Sequence, residues 1–238
     1  MTKTQTDRLG ERLREGSPTE SDIRLLDEYR RSFGQASETV VRRIQEKLGL
    51  APTARPAKST ASVVDKLKRE TIRLTQIQDI AGCRIVVANV KEQDDAVASL
   101  KKAFPGVTIL DRRKQPSFGY RAVHLIPKIG GVPVEIQVRT LLQHRWAEFS
   151  EKLADRFGSV LKYGGGQSVP KKILEESSKL IANHETQERE MFDTLHDAEQ
   201  VGDRIPAEVR ERLAELQGIL STRSQQIGAF LSDAVARL

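Results

Sequence analysis

The sequence has little of what marks a secreted or membrane-bound protein. A single cysteine, Cys83, excludes an internal disulfide and fits a reducing compartment, so we expect a cytoplasmic protein. No apolar run reaches the ~18 residues that a membrane-spanning helix needs, and the start lacks a secretory signal pattern. We therefore expect no membrane partner.

The chain is instead rich in charge. Charged residues make up 30% of its 238 residues and hydrophobic residues 38%, which is typical of a polar globular protein with a modest core. The net charge of +6 favours anionic partners, and it suits nucleotides and nucleic acids equally well.

Hydrophobic periodicity predicts three parts: an N-terminus over 1–18 that is either flexible or one short helix, a domain over 19–163 and a helical extension over 164–238. The domain opens with two packing helices, the second ending at Gly49, and a proline-containing loop follows over 51–57. The extension reads as two long polar helices, a hairpin that packs on the core or joins subunits.

The middle of the chain alternates strands and helices. Strands are predicted over 83–88 and 107–110, a helix lies between them, and a hairpin over 119–140 leads into a helix over 141–157. This order predicts an α+β (α/β-like) fold, a mixed sheet flanked by helices.

The second strand of that hairpin has two distinct faces. Apolar residues from Val132 to Val138 alternate with Glu135, Gln137 and Arg139, which is the period of a half-buried strand. A carboxylate, an amide and a guanidinium in a row form either a functional face or an ordinary exposed one.

Two earlier segments suit phosphates. Lys58, Ser62 and Lys66 lie about one helical turn apart, so they form either a basic face for a polyphosphate or a solvated face. Asp79 precedes a strand beside Gly82, where a carboxylate serves as a Mg²⁺ ligand for incoming phosphates or as a turn residue.

Taken together, four blocks of sequence resemble the RelA/SpoT synthetase domain over about residues 20–163. The blocks are Arg55 to Leu67, Asp79 to Arg84, Gly119 to His124, and Glu135 to Thr140. The resemblance implies a nucleotidyltransferase-like fold that moves the β,γ-pyrophosphate of ATP to the ribose 3′-hydroxyl of GDP or GTP, with Mg²⁺ as cofactor and AMP as the second product.

The resemblance also implies roles for single residues. Asp79 and Glu135 would hold Mg²⁺, Glu135 would activate the 3′-hydroxyl, and Tyr120 would stack on the acceptor guanine. The ATP side would be formed by Arg55, Lys58, Ser62 and Lys66. The remaining substrate-binding positions would be Arg84, Arg121, His124, Gln137 and Arg139.

The chain departs from the family pattern in three ways. Arg55 and Lys58 are three residues apart, where many members have two. Ser117 follows Pro116 where a lysine is common, so Lys114 or Arg113 is expected to substitute. No hydrolase half is expected, because the His196-Asp197 pair lies without partners in the C-terminal helices.

Three functional classes stay open. The first is a small alarmone synthetase that forms a homo-oligomer through its C-terminal helices, by analogy with relatives. The second is a toxin-type enzyme that pyrophosphorylates the 3′ end of tRNA or makes an adenosine analogue, and that has an antitoxin partner. The third, a non-catalytic nucleotide- or RNA-binding module, has no need for both Asp79 and Glu135.

Overall fold

A computed structural model describes residues 1–16, 18–55, 57–201 and 205–238, without the side chain of residue 201. Two short 3₁₀ turns accompany the regular elements, at Leu74–Gln76 and Ser159–Tyr163. The helices are α1 Lys3–Glu15, α2 Glu20–Arg31, α3 Gly34–Leu48, α4 Thr60–Arg69, α5 Val90–Ala103, α6 Leu141–Phe157, α7 Ser168–Val201 and α8 Ala207–Arg237. The strands are β1 Thr53–Arg55, β2 Gly82–Val87, β3 Thr108–Asp111, β4 Val123–Ile126, β5 Lys128–Ile129, β6 Val132–Pro133 and β7 Glu135–Thr140.

The main sheet has the strand order β1-β2-β7-β4-β3. Its edge strand β1 runs antiparallel to β2, with Arg55 opposite Gly82. A separate small ribbon, β5-β6, closes through Gly130 and Gly131, whose positive φ angles of 57° and 85° suit a tight hairpin turn. The predicted α+β fold with a mixed sheet and flanking helices is confirmed.

The chain divides into two compact units, which we describe separately. The first unit comprises Met1–Ile85, Ala98–Leu110 and His124–Gln137. The second unit comprises Val86–Val97, Asp111–Val123 and Val138–Leu238. The domain boundaries expected from sequence, at residues 18/19 and 163/164, stay a prediction.

The N-terminal residues of the first unit form a helix, the second of the two alternatives for this segment. Thr2 and Gln5 form a capping box at the start of α1, so the first turn has partners for its free N–H groups. Leu9 and Leu13 are fully buried in a cluster with residues of α2 and α4. Burial of this apolar stripe, which adds a hydrophobic contribution of roughly 1.5–3 kcal/mol per leucine, explains why the segment folds.

The next part of the first unit differs from the sequence prediction at one point. Gly49, in the left-handed region with a φ of 63°, ends α3 as expected. The predicted loop over 51–57 instead contains β1, which completes the edge of the sheet. Three residues between two prolines are too few for a periodic signal, so the pattern could not reveal this strand.

The second unit packs around Trp146 of α6. Thr140 caps α6 through a box with Gln143, and the Trp146 indole N–H donates to Ser177 Oγ at 3.0 Å. The helical hairpin predicted for the C-terminus is confirmed as α7 and α8, although residues 202–204 of the expected 201–206 connection lie outside the described residues. The cluster contains Leu142, Trp146, Phe149, Leu153, Leu161, Leu174, Ile181, Ile227 and Leu231. In the described part of the chain, no helix has the length and apolar character needed to cross a bilayer.

Candidate active site

Asp79 lies in the first unit between a 3₁₀ turn and β2, and two lysines hold its carboxylate. Lys58 Nζ donates to Oδ2 at 2.8 Å, and Lys66 Nζ donates to Oδ1 at 3.0 Å. Lys58 is placed there by its backbone N–H, which donates to the Ile80 carbonyl at 2.9 Å. Burial raises the pKa of Asp79, but the charges of Lys66 and Lys58 and their hydrogen bonds lower it to about 2. Asp79 is therefore ionised at neutral pH.

Glu135, the first residue of β7, is a buried carboxylate of the same unit. Arg55 Nη1 donates to its Oε2 at 2.9 Å, and His124 Nδ1 lies 2.9 Å from its Oε1. Gln137 Nε2 donates to Oε2 at 2.7 Å. Burial and the charge of Asp79 raise the pKa of Glu135, but the hydrogen bond and charge of His124, with the charge of Arg55, leave it below the usual value.

A glycine allows this carboxylate to lie where it does. A Cβ built on Gly82 would be 2.3 Å from the Glu135 carbonyl oxygen, so no other residue fits there without a shift. The Glu135 N–H donates to the Ala81 carbonyl at 3.0 Å, two residues after Asp79. The two carboxylates also repel each other, since the Asp79 charge acts on the pKa of Glu135.

Two other predicted substrate-binding residues, Ser62 and Arg84, lie in the same unit. Ser62 is exposed at the start of α4, where its hydroxyl accepts from Ser59 at 2.8 Å rather than touching either carboxylate. Arg84 is half-buried on β2. Because Thr53 pairs with Arg84 and Arg55 pairs with Gly82, the Arg84 and Arg55 side chains lie on the same face of the sheet.

The second unit holds Tyr120, which is predicted to stack on the acceptor base, and the predicted substrate-binding residues Lys114, Arg121 and Arg139. Arg139 Nη2 donates to the Tyr120 hydroxyl at 2.9 Å, and its guanidinium carbon lies 5.0 Å from the centroid of the Tyr120 ring. Arg121 Nη1 donates to the Arg113 carbonyl at 3.0 Å. Lys114 lines a cavity of about 690 Å³ together with Arg113 and Arg121.

The face of β7 differs from the sequence prediction of a half-buried strand. All six residues of β7 are buried, and the polar ones have partners. Glu135 and Gln137 lie in the first unit, and Arg139 lies in the second. The polar face therefore lies inside the protein, and the reading of an ordinary solvated face is wrong.

The carboxylates fit a magnesium ion that arrives with phosphates. Among the described residues no group of three or more His, Cys, Asp or Glu side chains could hold a metal by itself. Mg²⁺ is commonly bound by one or two carboxylates while substrate phosphates and waters complete the octahedron. Asp79 and Glu135, both ionised, are a donor set of that size.

Sequence reasoning missed one buried acid in the second unit. Glu185 of α7 is 4% exposed and contacts Arg121, Thr140 and Gln143. It lies in a long polar helix with no motif around it, more than forty residues from those partners, so no local pattern could identify it.

Comparison with known proteins gives one family model and several partial relatives. Residues 55–155 match the region found in RelA/SpoT proteins. The chain is 40% identical over 111 residues to an uncharacterized Mycobacterium tuberculosis protein, covering 45% of this chain and 41% of that protein. It is 33% identical over 131 residues to the GTP pyrophosphokinase YjbM of Bacillus subtilis, covering 49% and 58%. The chain thus spans less than two thirds of the length of these curated relatives.

Solved structures show the same fold. Small alarmone synthetase 1 of Bacillus subtilis superposes with a TM-score of 0.56 at 24% identity, covering 72% of this chain and 99% of that one. The smu.1046c structure from Streptococcus mutans gives a TM-score of 0.51 at 26% identity, covering 75% and 99%. The region that matches the RelA/SpoT model includes Asp79 and Glu135 together with their partners Arg55, Lys58, Lys66 and His124. Residues 55–155 therefore resemble the region found in RelA/SpoT proteins, and the fold agrees with that resemblance.

Proposed function

We propose that the chain is a pyrophosphokinase that transfers the β,γ-pyrophosphate of ATP to the ribose 3′-hydroxyl of GDP or GTP. The 3′-oxygen forms a bond to the β-phosphorus, and the bond from that phosphorus to the α,β-bridging oxygen breaks. AMP leaves with the bridging oxygen, and the hydroxyl proton passes to Glu135. One observation carries the proposal: two ionised carboxylates in one unit, each bound by cationic side chains.

The ion pairs around Asp79 suit an exchange with phosphates. Lys58 and Lys66 both donate to this one carboxylate, which brings two ammonium groups together around a single negative charge. A triphosphate offers them more charge, and charge-assisted hydrogen bonds to phosphate are among the stronger ones in proteins. In this proposal both lysines turn to the ATP phosphates, which frees Asp79 as a metal ligand.

Glu135 has a different part in the proposal. Its contacts with His124 and Gln137 fix both carboxylate oxygens, so the group is oriented before the substrate arrives. Its lowered pKa keeps it ionised, and it takes the proton as the new P–O bond forms. Mg²⁺ held by Asp79 and Glu135 would offset the negative charge of the phosphates.

The acceptor base is assigned to Tyr120. Arg139 fixes the phenol ring through its hydrogen bond and its position against the ring, and the ring then provides a face for a purine. A relative named as a GTP pyrophosphokinase supports guanine as that base. We further propose a homo-oligomer through α7 and α8, supported by exposed apolar side chains such as Val169, Ile219 and Phe230.

A tRNA 3′ end is the second candidate acceptor. Arg112, Arg113 and Lys114 form a basic run before Tyr120, and Ser117 takes the place of the family lysine. Such a run suits a nucleic-acid backbone as well as a nucleotide. An antitoxin partner would belong to this candidate, since transfer to tRNA removes a substrate of translation.

An acceptor screen tests these alternatives. The purified chain is incubated with Mg²⁺ and γ-labelled ATP, separately with GDP, GTP, unlabelled ATP and deacylated tRNA. We expect labelled guanine nucleotide with two added phosphates, and one AMP for each product molecule. Label on tRNA or on an adenine nucleotide would favour the toxin-type reading. No transfer to any acceptor would overturn the enzymatic proposal.

A further inference from the structure

Helix α7 lies beyond residues 55–155, yet it places a buried carboxylate against residues of that domain. Glu185 Oε1 accepts from Thr140 Oγ1 at 3.0 Å and from Gln143 Nε2 at 2.7 Å. Its other oxygen, Oε2, lies 3.3 Å from both Nε and Nη2 of Arg121. One oxygen thus secures the cap of α6, and the other faces a guanidinium assigned to substrate binding.

The basic loop that carries Arg121 is attached to α7 at a second point. Arg113 donates to Asp94 at 2.7 Å, and Arg189 of α7 donates to the other oxygen of Asp94 at 2.6 Å. Arg113 also binds Asp111 at 2.8 Å and, through its carbonyl, accepts from Arg121. The position of the Arg121 guanidinium therefore depends on contacts from α7.

These groups surround a cavity of about 690 Å³, large enough for part of a nucleotide. Its walls carry cations from the loop and from α7 as well as carboxylates. Lys114 of the same loop also lines this cavity. The lining contains four cations, Arg113, Lys114, Arg121 and Arg189, and five carboxylates, Asp94, Asp111, Glu185, Glu190 and Asp193.

We propose that Glu185 is a positioning residue for the acceptor: it orients Arg121 toward the cavity, where Arg121 and Lys114 bind the 5′-phosphates of the acceptor nucleotide. This inference rests on the proposed function and deepens it, because it makes α7 part of the acceptor site. An arginine held on both sides of its guanidinium loses less rotamer freedom when it binds a phosphate, so acceptor affinity rises.

The Glu185→Gln change separates positioning from packing. A glutamine keeps the shape of the side chain, and its amide oxygen can still accept from Thr140 and Gln143. Its NH₂ group cannot accept from Arg121, so only that contact is lost. If Glu185 acts through Arg121, a double variant that also carries Arg121→Gln should bind the acceptor no worse than Arg121→Gln alone.

The experiment measures KM for the acceptor found in the screen, KM for ATP, and Tm, on the full chain. For Glu185→Gln we expect acceptor KM to rise about tenfold while ATP KM changes less than about twofold and Tm is nearly unchanged. Glu185→Asp should recover part of the acceptor affinity. The matched control is Glu176→Gln, an exposed α7 carboxylate paired only with Lys179, and it should behave as the wild type.

Three results would overturn the inference: unchanged acceptor KM in Glu185→Gln, equal rises in both KM values together with a fall in Tm, or additive effects in the double variant. If the wild type transfers nothing to any acceptor, the proposed function fails on its own. Calorimetric titration with GDP and GTP then decides the inference, which predicts weaker binding to Glu185→Gln and would be overturned by equal binding.

Discussion

Two buried glutamates, one in each unit, have opposite kinds of partners. Glu135 is held by Arg55 and His124 together with one amide, and its pKa is lowered. Glu185 is held by a hydroxyl, an amide and two longer contacts with the Arg121 guanidinium. The cations around Glu135 can exchange this carboxylate for an incoming phosphate. The neutral donors around Glu185 also form the N-cap of α6, so they keep their contacts when a phosphate binds. The comparison distinguishes a group prepared for chemistry from one that supports its neighbours.

The Glu135→Gln variant tests this difference between the two glutamates with the largest expected effect. We expect the single-turnover rate to fall by about 10²–10⁴-fold, since an amide cannot take the hydroxyl proton. ATP binding, measured by calorimetry, should largely survive because Arg55, Lys58 and Lys66 remain. A rate within tenfold of the wild type would show that the assignment of Glu135 as proton acceptor is wrong.

The ion pairs of Asp79 should also affect the free energy of unfolding. Its pKa in the folded protein is about 2, below the ordinary 3.8, so its pairing with the lysines stabilises the fold above about pH 4. This contribution, about 2 kcal/mol, is lost as the pH falls from about 4 toward 2. Urea unfolding at pH 5 and pH 3 should therefore show a smaller pH dependence for Asp79→Asn than for the wild type.

Asp95→Asn is the control for that measurement. Asp95 is a largely exposed carboxylate that pairs with Lys91 on the same helix, and such surface pairs contribute little. Its pH dependence should match that of the wild type. Equal pH dependence in Asp79→Asn and the wild type would show that the two lysines do not stabilise the Asp79 carboxylate as described.

Substitutions of Tyr120 should change acceptor KM, and the size of the change should depend on whether the aromatic ring is kept. Tyr120→Ala removes the ring and should raise acceptor KM about tenfold or more, since stacking of a base on an aromatic side chain contributes roughly 1–3 kcal/mol. Tyr120→Phe keeps the ring and loses only the hydrogen bond from Arg139, so its acceptor KM should change by a few-fold at most. Steady-state kinetics that show equal effects for the two variants would exclude stacking as the role of the ring.

Substitution of Gly119, next to Tyr120, tests how tightly this loop packs against Trp146. A Cβ there would lie 2.8 Å from the Trp146 ring, and the residue has a φ of 88°. Gly106 shares the positive φ, at 74°, but has open space around it. Chemical denaturation should show Gly119→Ala destabilised by about 1–3 kcal/mol more than Gly106→Ala. Equal losses would mean that the loop moves away from Trp146 at little cost.

Sequence alone could predict most elements of the fold but not the environment of its polar residues. The alternation through Glu135 and Gln137 indicates a strand, yet the burial of both its faces depends on Arg55, eighty positions earlier, and on His124 of β4. The start of α1 had a readable signal in Thr2 and Gln5, which a frayed terminus would not need. The sequence carries no such signal for Glu185, because its partners come close to it only in the folded chain.

The predicted site residues also differ in how well the sequence could predict their contacts. Helical spacing and the family resemblance both group Lys58, Ser62 and Lys66, but in the structure only the two lysines contact Asp79. Ser62 lies exposed beside Ser59, since one face of a helix can continue past the site into solvent. Spacing identifies which residues share a face, but it does not fix where that face ends.

The most direct test of the central claim is a product analysis of the wild type and Glu135→Gln side by side, by ³¹P NMR and mass spectrometry with ATP, Mg²⁺ and GDP or GTP. The account predicts that the wild type forms AMP and a guanine nucleotide with a 3′-diphosphate in equal amounts, while Glu135→Gln forms neither at a comparable rate. The same products at the same rate from both proteins, or ADP in place of AMP, would contradict it.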